Sequence, residues 1–143
     1  MFIPDEGYYF GLGAFETIAV ENGFPQFLPQ HYKRLRLALK FLNLNVDFSE
    51  IEKKVKTALT QKEMQKGRKV LKITVSEKNI LITTRTNNYQ KADYEKGFST
   101  ALSNVKRNES SPFTYHKTLN YGDCIMEKRH AKEMGIQEPI FLN

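Results

Sequence analysis

Along this chain, apolar residues alternate with polar ones in some stretches and return every three or four positions in others. Residues 15–20 read as a strand, Glu21-Asn22-Gly23 as a turn, and residues 24–28 as the returning strand. Pro25 has no N–H to offer a ladder, so that second strand is expected at an edge. Between residues 30 and 42, Tyr32, Leu35, Leu39 and Leu42 fall on one face of a helix. Ser49 and Glu52 form a capping box ahead of a second helix, whose apolar face is Ile51, Val55, Ala58 and Leu59. Residues 70–75 alternate, with Leu71, Ile73 and Val75 on one side. With the apolar run at 79–84 they make a second hairpin about Ser76-Glu77-Lys78. Hairpin, two helices, hairpin is an α+β layer pair.

Beyond this point the pattern weakens. Residues 87–95 are polar and read as a connector, residues 97–105 as a strand, and residues 106–112 as a loop rich in Ser and Asn. A helix is expected from about residue 120 to 134. Asn120 would cap its start, Asp123 would sit near the positive end of its dipole, and Gly135 would close it. Residues 139–142 read as a strand with nothing after it to pair with, as in the front part of a longer protein. The expected division is a two-layer domain over residues 1–90, a connector over 91–95, and the start of a second domain over 96–143.

Composition changes this picture little. The 143 residues are enough for a domain of ordinary size, and 40% hydrophobic residues with ten Phe can supply its core. The formal charge of +6 suits an anionic ligand. Its lysines, however, are spread: Lys53, Lys54, Lys56, Lys62 and Lys66 lie along one helix and its exit, the usual pattern of a solvated face. Nucleic acid is therefore not the expected partner, although Tyr8, Tyr9 and Phe10 beside glycines could stack on bases. A single cysteine, Cys124, excludes an internal disulfide and suits a reducing compartment. No CxxC or HxxxH pair exists, so no metal site is expected. Neither a signal peptide nor a membrane-spanning stretch is recognisable, and a cytoplasmic protein is the simplest expectation.

Candidate chemistry sits in three stretches. Lys117 stands among Tyr115, His116 and Tyr121, just ahead of the expected helix. Burial beside aromatic rings favours the neutral amine, the form that condenses with a carbonyl. Arg34 falls at the border of its helix's apolar stripe, where a guanidinium can serve either a phosphate or a salt bridge. Gly11 and Gly13 allow a bend or a close approach ahead of Phe15-Glu16-Thr17, although GxG alone is a weak phosphate signal.

Taken together, these stretches resemble the class IV aminotransferase family, the fold type IV pyridoxal-phosphate enzymes. Gly11-Leu12-Gly13 leading into Phe15-Glu16-Thr17 is similar to the family's first long strand. His31-Tyr32-Lys33-Arg34-Leu35 resembles its H-x-x-R-L helix, Lys117-Thr118-Leu119-Asn120 its K-x-L-N segment, and Glu138 to Asn143 the strand after the next helix. The resemblance implies an incomplete, barrel-like second domain and pyridoxal 5'-phosphate as cofactor. Lys117 would be its Schiff-base partner and proton shuttle, and Arg34 its phosphate anchor. Tyr121 lies near a tyrosine that touches the cofactor's phenolic oxygen in branched-chain members. Tyr8 and Phe15 match pocket aromatics, and either could equally be a core residue. The implied partners are an amino acid or aminodeoxychorismate substrate and a second copy of the chain in a homodimer. Ser76-Glu77-Lys78 stands where many members have an Arg-Gly carboxylate clamp, which leaves the substrate class open. The family's G-x-[IV]-x-E segment is not present, so the chain by itself is expected to have little or no transaminase activity; the alternatives to an aminotransferase are an aminodeoxychorismate lyase and a non-catalytic remnant serving as a dimerisation module.

Overall fold

The computed structural model describes residues 1–142. It is α+β and forms two units, residues 1–87 with 116–120, and residues 88–115 with those from 121 onward. Asn143, the last residue of the family-like terminal segment, lies outside the described residues.

The first unit is built on a four-stranded antiparallel sheet in the order β2-β1-β3-β4. Its strands are β1 (Gly13–Glu21), β2 (Phe24–Pro25), β3 (Arg68–Ser76) and β4 (Ile80–Thr86). Both expected hairpins are present. The edge strand β2 is only two residues long, because after Pro25 the backbone turns at Phe27 (φ 53°) into a helix opened by Pro29. One face of the sheet buries Ala14, Glu16, Ile18 and Val20 of β1 with Leu71, Ile73 and Val75 of β3. Against it pack Leu35, Ala38 and Leu39 of α2 (Leu28–Phe41), and Ile51, Val55 and Ala58 of α3 (Phe48–Leu59). These are the helical faces expected from the spacing.

The start of α3 differs from the expected capping box. Asp47, not Ser49, is the N-cap, and its carboxylate accepts from both the backbone N–H and the hydroxyl of Ser49. A carboxylate is the stronger acceptor, and it draws the serine hydroxyl away from the capping position. The first residues also hold an unanticipated short helix, α1 (Glu6–Phe10). Asp5 caps it and is buried where it accepts from Ser76, Lys78 and Asn79 of the β3–β4 turn.

Residues 116–120 join this unit by strand pairing. Because β2 covers only the far end of β1, the Gly13–Phe15 end has an unfilled edge, and Thr118 bridges to Ala14 there. Phe15 N–H donates to the Lys117 carbonyl (3.1 Å), and Leu119 N–H donates to the Gly13 carbonyl (2.8 Å). Thr118 is fully buried. Asn120 does not cap the helix after it. Its side-chain amide instead donates to the carbonyl of Gly11, a left-handed residue (φ 72°) closing α1.

In the second unit, the expected connector contains α4 (Lys91–Lys96). The strand expected over 97–105 is β5 (Thr100–Leu102), and the helix is α5 (Gly122–Glu133), which begins after Tyr121 without a side-chain cap. The terminal strand finds its partner earlier in the chain. β6 (Glu138–Ile140) pairs in parallel with β5, which precedes the helix and does not follow the strand. No closed barrel is present among the described residues.

The seam between β1 and residues 117–119 has no room for a side chain at residue 13. A Cβ there would lie 2.6 Å from both Leu119 Cδ1 and the Val75 carbonyl oxygen. Gly13→Ala is expected to cost about 1–3 kcal/mol, as overpacking does. A urea midpoint unchanged from that of the parent chain would contradict this packing.

Candidate active site

Pairing register fixes where Lys117 faces. In an antiparallel ladder, paired residues share a face and neighbours along a strand alternate. The Ala14–Thr118 bridge puts those two on the helix-covered side, so Lys117 lies beside Phe15 on the opposite, open side. The side chains agree with this placement. Lys117 Nζ is 4.2 Å from the Phe15 ring centroid, and Lys72 Nζ of β3 approaches the same ring at 4.8 Å. Two lysine amines thus approach one aromatic ring. The preceding residue holds the segment from another direction, since His116 stacks on Phe41 of α2 with centroids 4.2 Å apart and planes at 11°.

Glu16, the next residue of β1, points to the helix side and is fully buried. A buried carboxylate needs partners, and α2 supplies two. Arg34 grips it with a fork: Nε donates to Oε1 (2.5 Å) and Nη2 to Oε2 (2.6 Å). His31 Nδ1 lies 2.7 Å from Oε2 and must carry the donated proton, since an ionised carboxylate only accepts. Burial by itself would raise the Glu16 carboxyl. The hydrogen bonds from Arg34 and His31, and their charge, override it and hold the group below its ordinary range. The Arg34 side chain is 55% exposed while that of its partner is not exposed at all, so a guanidinium fixed in orientation is presented at the surface.

The structure therefore pairs Lys117 with Phe15 and Arg34 with Glu16, and anchors the two pairs on consecutive residues of β1. Tyr8 lies on α1, 65% exposed, edge-on to Phe2 (5.7 Å) and Tyr9 (5.1 Å). Tyr121 opens the second unit as the N-cap residue of α5. Glu16, His31 and Lys72 were not singled out from the sequence. Glu16 could have been: a carboxylate between Ala14 and Ile18 on the core face of a strand demands a cation, and His31 and Arg34 lie one helical turn apart.

Removing the fork should expose its importance. Arg34→Ala leaves a buried carboxylate held by His31 alone and is expected to cost about 3 kcal/mol, the low end for a broken buried pair because the guanidinium is half-solvated. The pH dependence follows from the depressed Glu16 carboxyl. Its stabilisation is complete above the ordinary carboxylate pKa and is lost as pH falls through the lower folded-state value. Glu16→Gln should flatten the acid limb of a plot of urea midpoint against pH. An acid limb identical to the parent's would contradict the assignment.

Comparison with known proteins bears on the fold and the family. No curated protein matches the sequence closely enough to be compared with it. Among solved structures, a protein provisionally assigned as a 4-amino-4-deoxychorismate lyase is 24% identical with a TM-score of 0.86, covering 100% of this chain and 58% of that one. A fold IV transaminase from Curtobacterium pusillum is 23% identical with a TM-score of 0.79, covering 97% and 53%. The PLP-bound form of a hypothetical aminotransferase from Mycobacterium tuberculosis is 20% identical with a TM-score of 0.73, covering 96% and 54%. At such identities the likeness is one of fold, and this chain spans little more than half the length of those structures. The family model for amino-transferase class IV matches residues 13–143, from the first residue of β1 onward. The chain belongs to the class IV aminotransferase family.

Proposed function

We propose that the chain is part of a pyridoxal 5'-phosphate-dependent aminotransferase acting on amino acids, with Lys117 as its catalytic amine. The observation that carries this reading is the position of Lys117, pinned by backbone pairing to β1 with its amine over Phe15 on the open side of the sheet. Each residue is of the type that one of the cofactor's two chemical demands requires, although the register sets Lys117 on the open side of the sheet and the Glu16–Arg34 pair on the helix side. Arg34 offers a planar, half-exposed fork already oriented by a buried carboxylate, suited to phosphate oxygens. Lys117 offers a primary amine beside an aromatic ring, suited to an aldehyde. When bound, the cofactor supplies that aldehyde and a ring that draws electrons from the substrate's α-carbon.

The roles of the chain's own residues follow. Glu16 and His31 hold the Arg34 guanidinium still, so that binding an anion costs little side-chain entropy. Phe15 flanks the amine and excludes water from one side of it. Lys117 Nζ would be the base that takes and returns a proton at the substrate. Tyr121, the N-cap residue of α5, is proposed as a cofactor neighbour on the family resemblance alone.

The same amine would serve release of pyruvate from aminodeoxychorismate, the activity provisionally assigned to one compared structure. An assay for pyruvate against one for keto acid separates the two. Turnover is proposed for a protein of the relatives' full length, and the 143 residues alone are expected to show little or none. A homodimer belongs to the same reading, and the exposed rings of Phe2, Tyr8, Tyr9 and Phe10 are apolar surface that it would cover.

Titrating the chain with pyridoxal 5'-phosphate is expected to produce the visible absorption band of a lysine-bound cofactor, absent in Lys117→Ala. Arg34→Lys keeps the charge but loses the fork, and should weaken cofactor binding about tenfold or more. A band that persists in Lys117→Ala would overturn the assignment.

A further inference from the structure

The glycine stretch ahead of β1 reads from the sequence as a weak phosphate signal, and the structure gives it another use. A phosphate cradle needs backbone N–H groups to spare, and all three here are already committed. Gly11 N–H donates to the Gly7 carbonyl (3.2 Å), Leu12 N–H to that of Glu6 (3.2 Å), and Gly13 N–H to that of Gly11 (2.9 Å). What the stretch offers is carbonyls, and two of them receive the lysine segment. Gly13 accepts from the Leu119 N–H (2.8 Å), and Gly11 accepts from the side-chain amide of Asn120 (3.0 Å). The approach at Gly11 is close: a Cβ there would come within 3.0–3.1 Å of the Asn120 amide atoms.

The seam that these contacts close is short. Two backbone hydrogen bonds and the buried Thr118 hold residues 117–119 on β1, and each such bond is worth little once exchange with water is counted. Its ends therefore decide whether it stays shut, because terminal hydrogen bonds open most readily. At one end His116 is stacked on Phe41. At the other, Tyr121 already belongs to the second unit, so Asn120 is the last residue of the segment that the first unit holds. Without its amide, the Leu119–Gly13 bond becomes the terminal one. The Asn120 amide is spent here although α5 begins two residues later without any side-chain cap, the use that its position in the sequence would suggest.

We infer that Asn120 is a positioning residue for Lys117: its amide, seated on the Gly11 carbonyl, locks the seam that sets the amine over Phe15. The inference rests on the proposed role of Lys117. It assigns Gly11-Leu12-Gly13 to gripping the lysine's own segment and leaves phosphate to other groups.

The first measurement needs no cofactor. Amide hydrogen exchange is followed by NMR in the parent chain, in Asn120→Asp, which keeps the shape but removes the donor, and in Asn120→Ala. Asn120 is exposed, and unchanged exchange at Leu71 and Ile73 of β3 checks that the sheet remains folded in both variants. The Phe15 and Leu119 amides are expected to exchange about three- to tenfold faster in each. The second measurement is the circular dichroism of the visible band formed with pyridoxal 5'-phosphate, which is strong only when the chromophore is held in one orientation. Relative to absorbance it is expected to fall in both variants. Unchanged exchange at Phe15 and Leu119 overturns the inference. Faster exchange with undiminished dichroism overturns it too, since Asn120 would then serve the fold alone. The Lys117 reading is judged separately: a band that is absent from the parent, or that persists in Lys117→Ala, discards that reading, while the exchange rates still decide whether Asn120 holds the seam.

Discussion

Strand β1 has two edges, and only one is filled along its whole length. β3 pairs with all nine residues of β1, whereas β2 pairs with two at the far end and leaves the Gly13–Phe15 end bare. Unpaired backbone N–H and C=O groups at a sheet edge seek partners, and residues 117–119 satisfy them. The placement of Lys117 depends on this short pairing. It carries Lys117 across about a hundred residues of chain to Phe15. It also decides, by the alternation of strand faces, that the lysine lies on the open side and not among the helices.

The same strand carries the second constraint. Glu16 is the one carboxylate in a row of core-facing residues, and it is satisfied only because α2 brings Arg34 and His31 over it on one helical face. A buried ion pair of this kind contributes little net stability once desolvation is counted, but removing one partner is costly. It therefore acts as a specification: α2 can dock on β1 in one register, and in that register the guanidinium is aimed. Gly13, where no side chain fits, plays the corresponding part on the other seam.

How much of this the sequence disclosed can be seen at particular residues. The hairpins, the two helices and their buried faces were legible because Leu71-Ile73-Val75 and Leu35-Leu39 repeat at the periods of strand and helix. Lys117, Arg34 and Phe15 were legible as family-like segments. Their grouping was not, because which face Lys117 takes depends on a register set by the shortness of β2, and no local pattern records that. Asn120 and Ser49 misled for one reason: a side chain with good capping chemistry was drawn to a better partner, Gly11's carbonyl in one case and Asp47 in the other. The partner of the terminal strand was not legible because it precedes the strand, across a helix. Lys72 was not distinguished from the chain's other lysines, since nothing in its sequence neighbours shows that it approaches the same ring as Lys117.

The most direct test of the account is chemical trapping. The chain is incubated with pyridoxal 5'-phosphate, reduced with borohydride, digested, and the modified lysine located by mass spectrometry. The account requires the label on Lys117 in preference to the chain's many other lysines, and its loss when Gly13→Ala forces residues 117–119 off β1. Label spread over the surface lysines, or concentrated on a lysine other than 117, would contradict it.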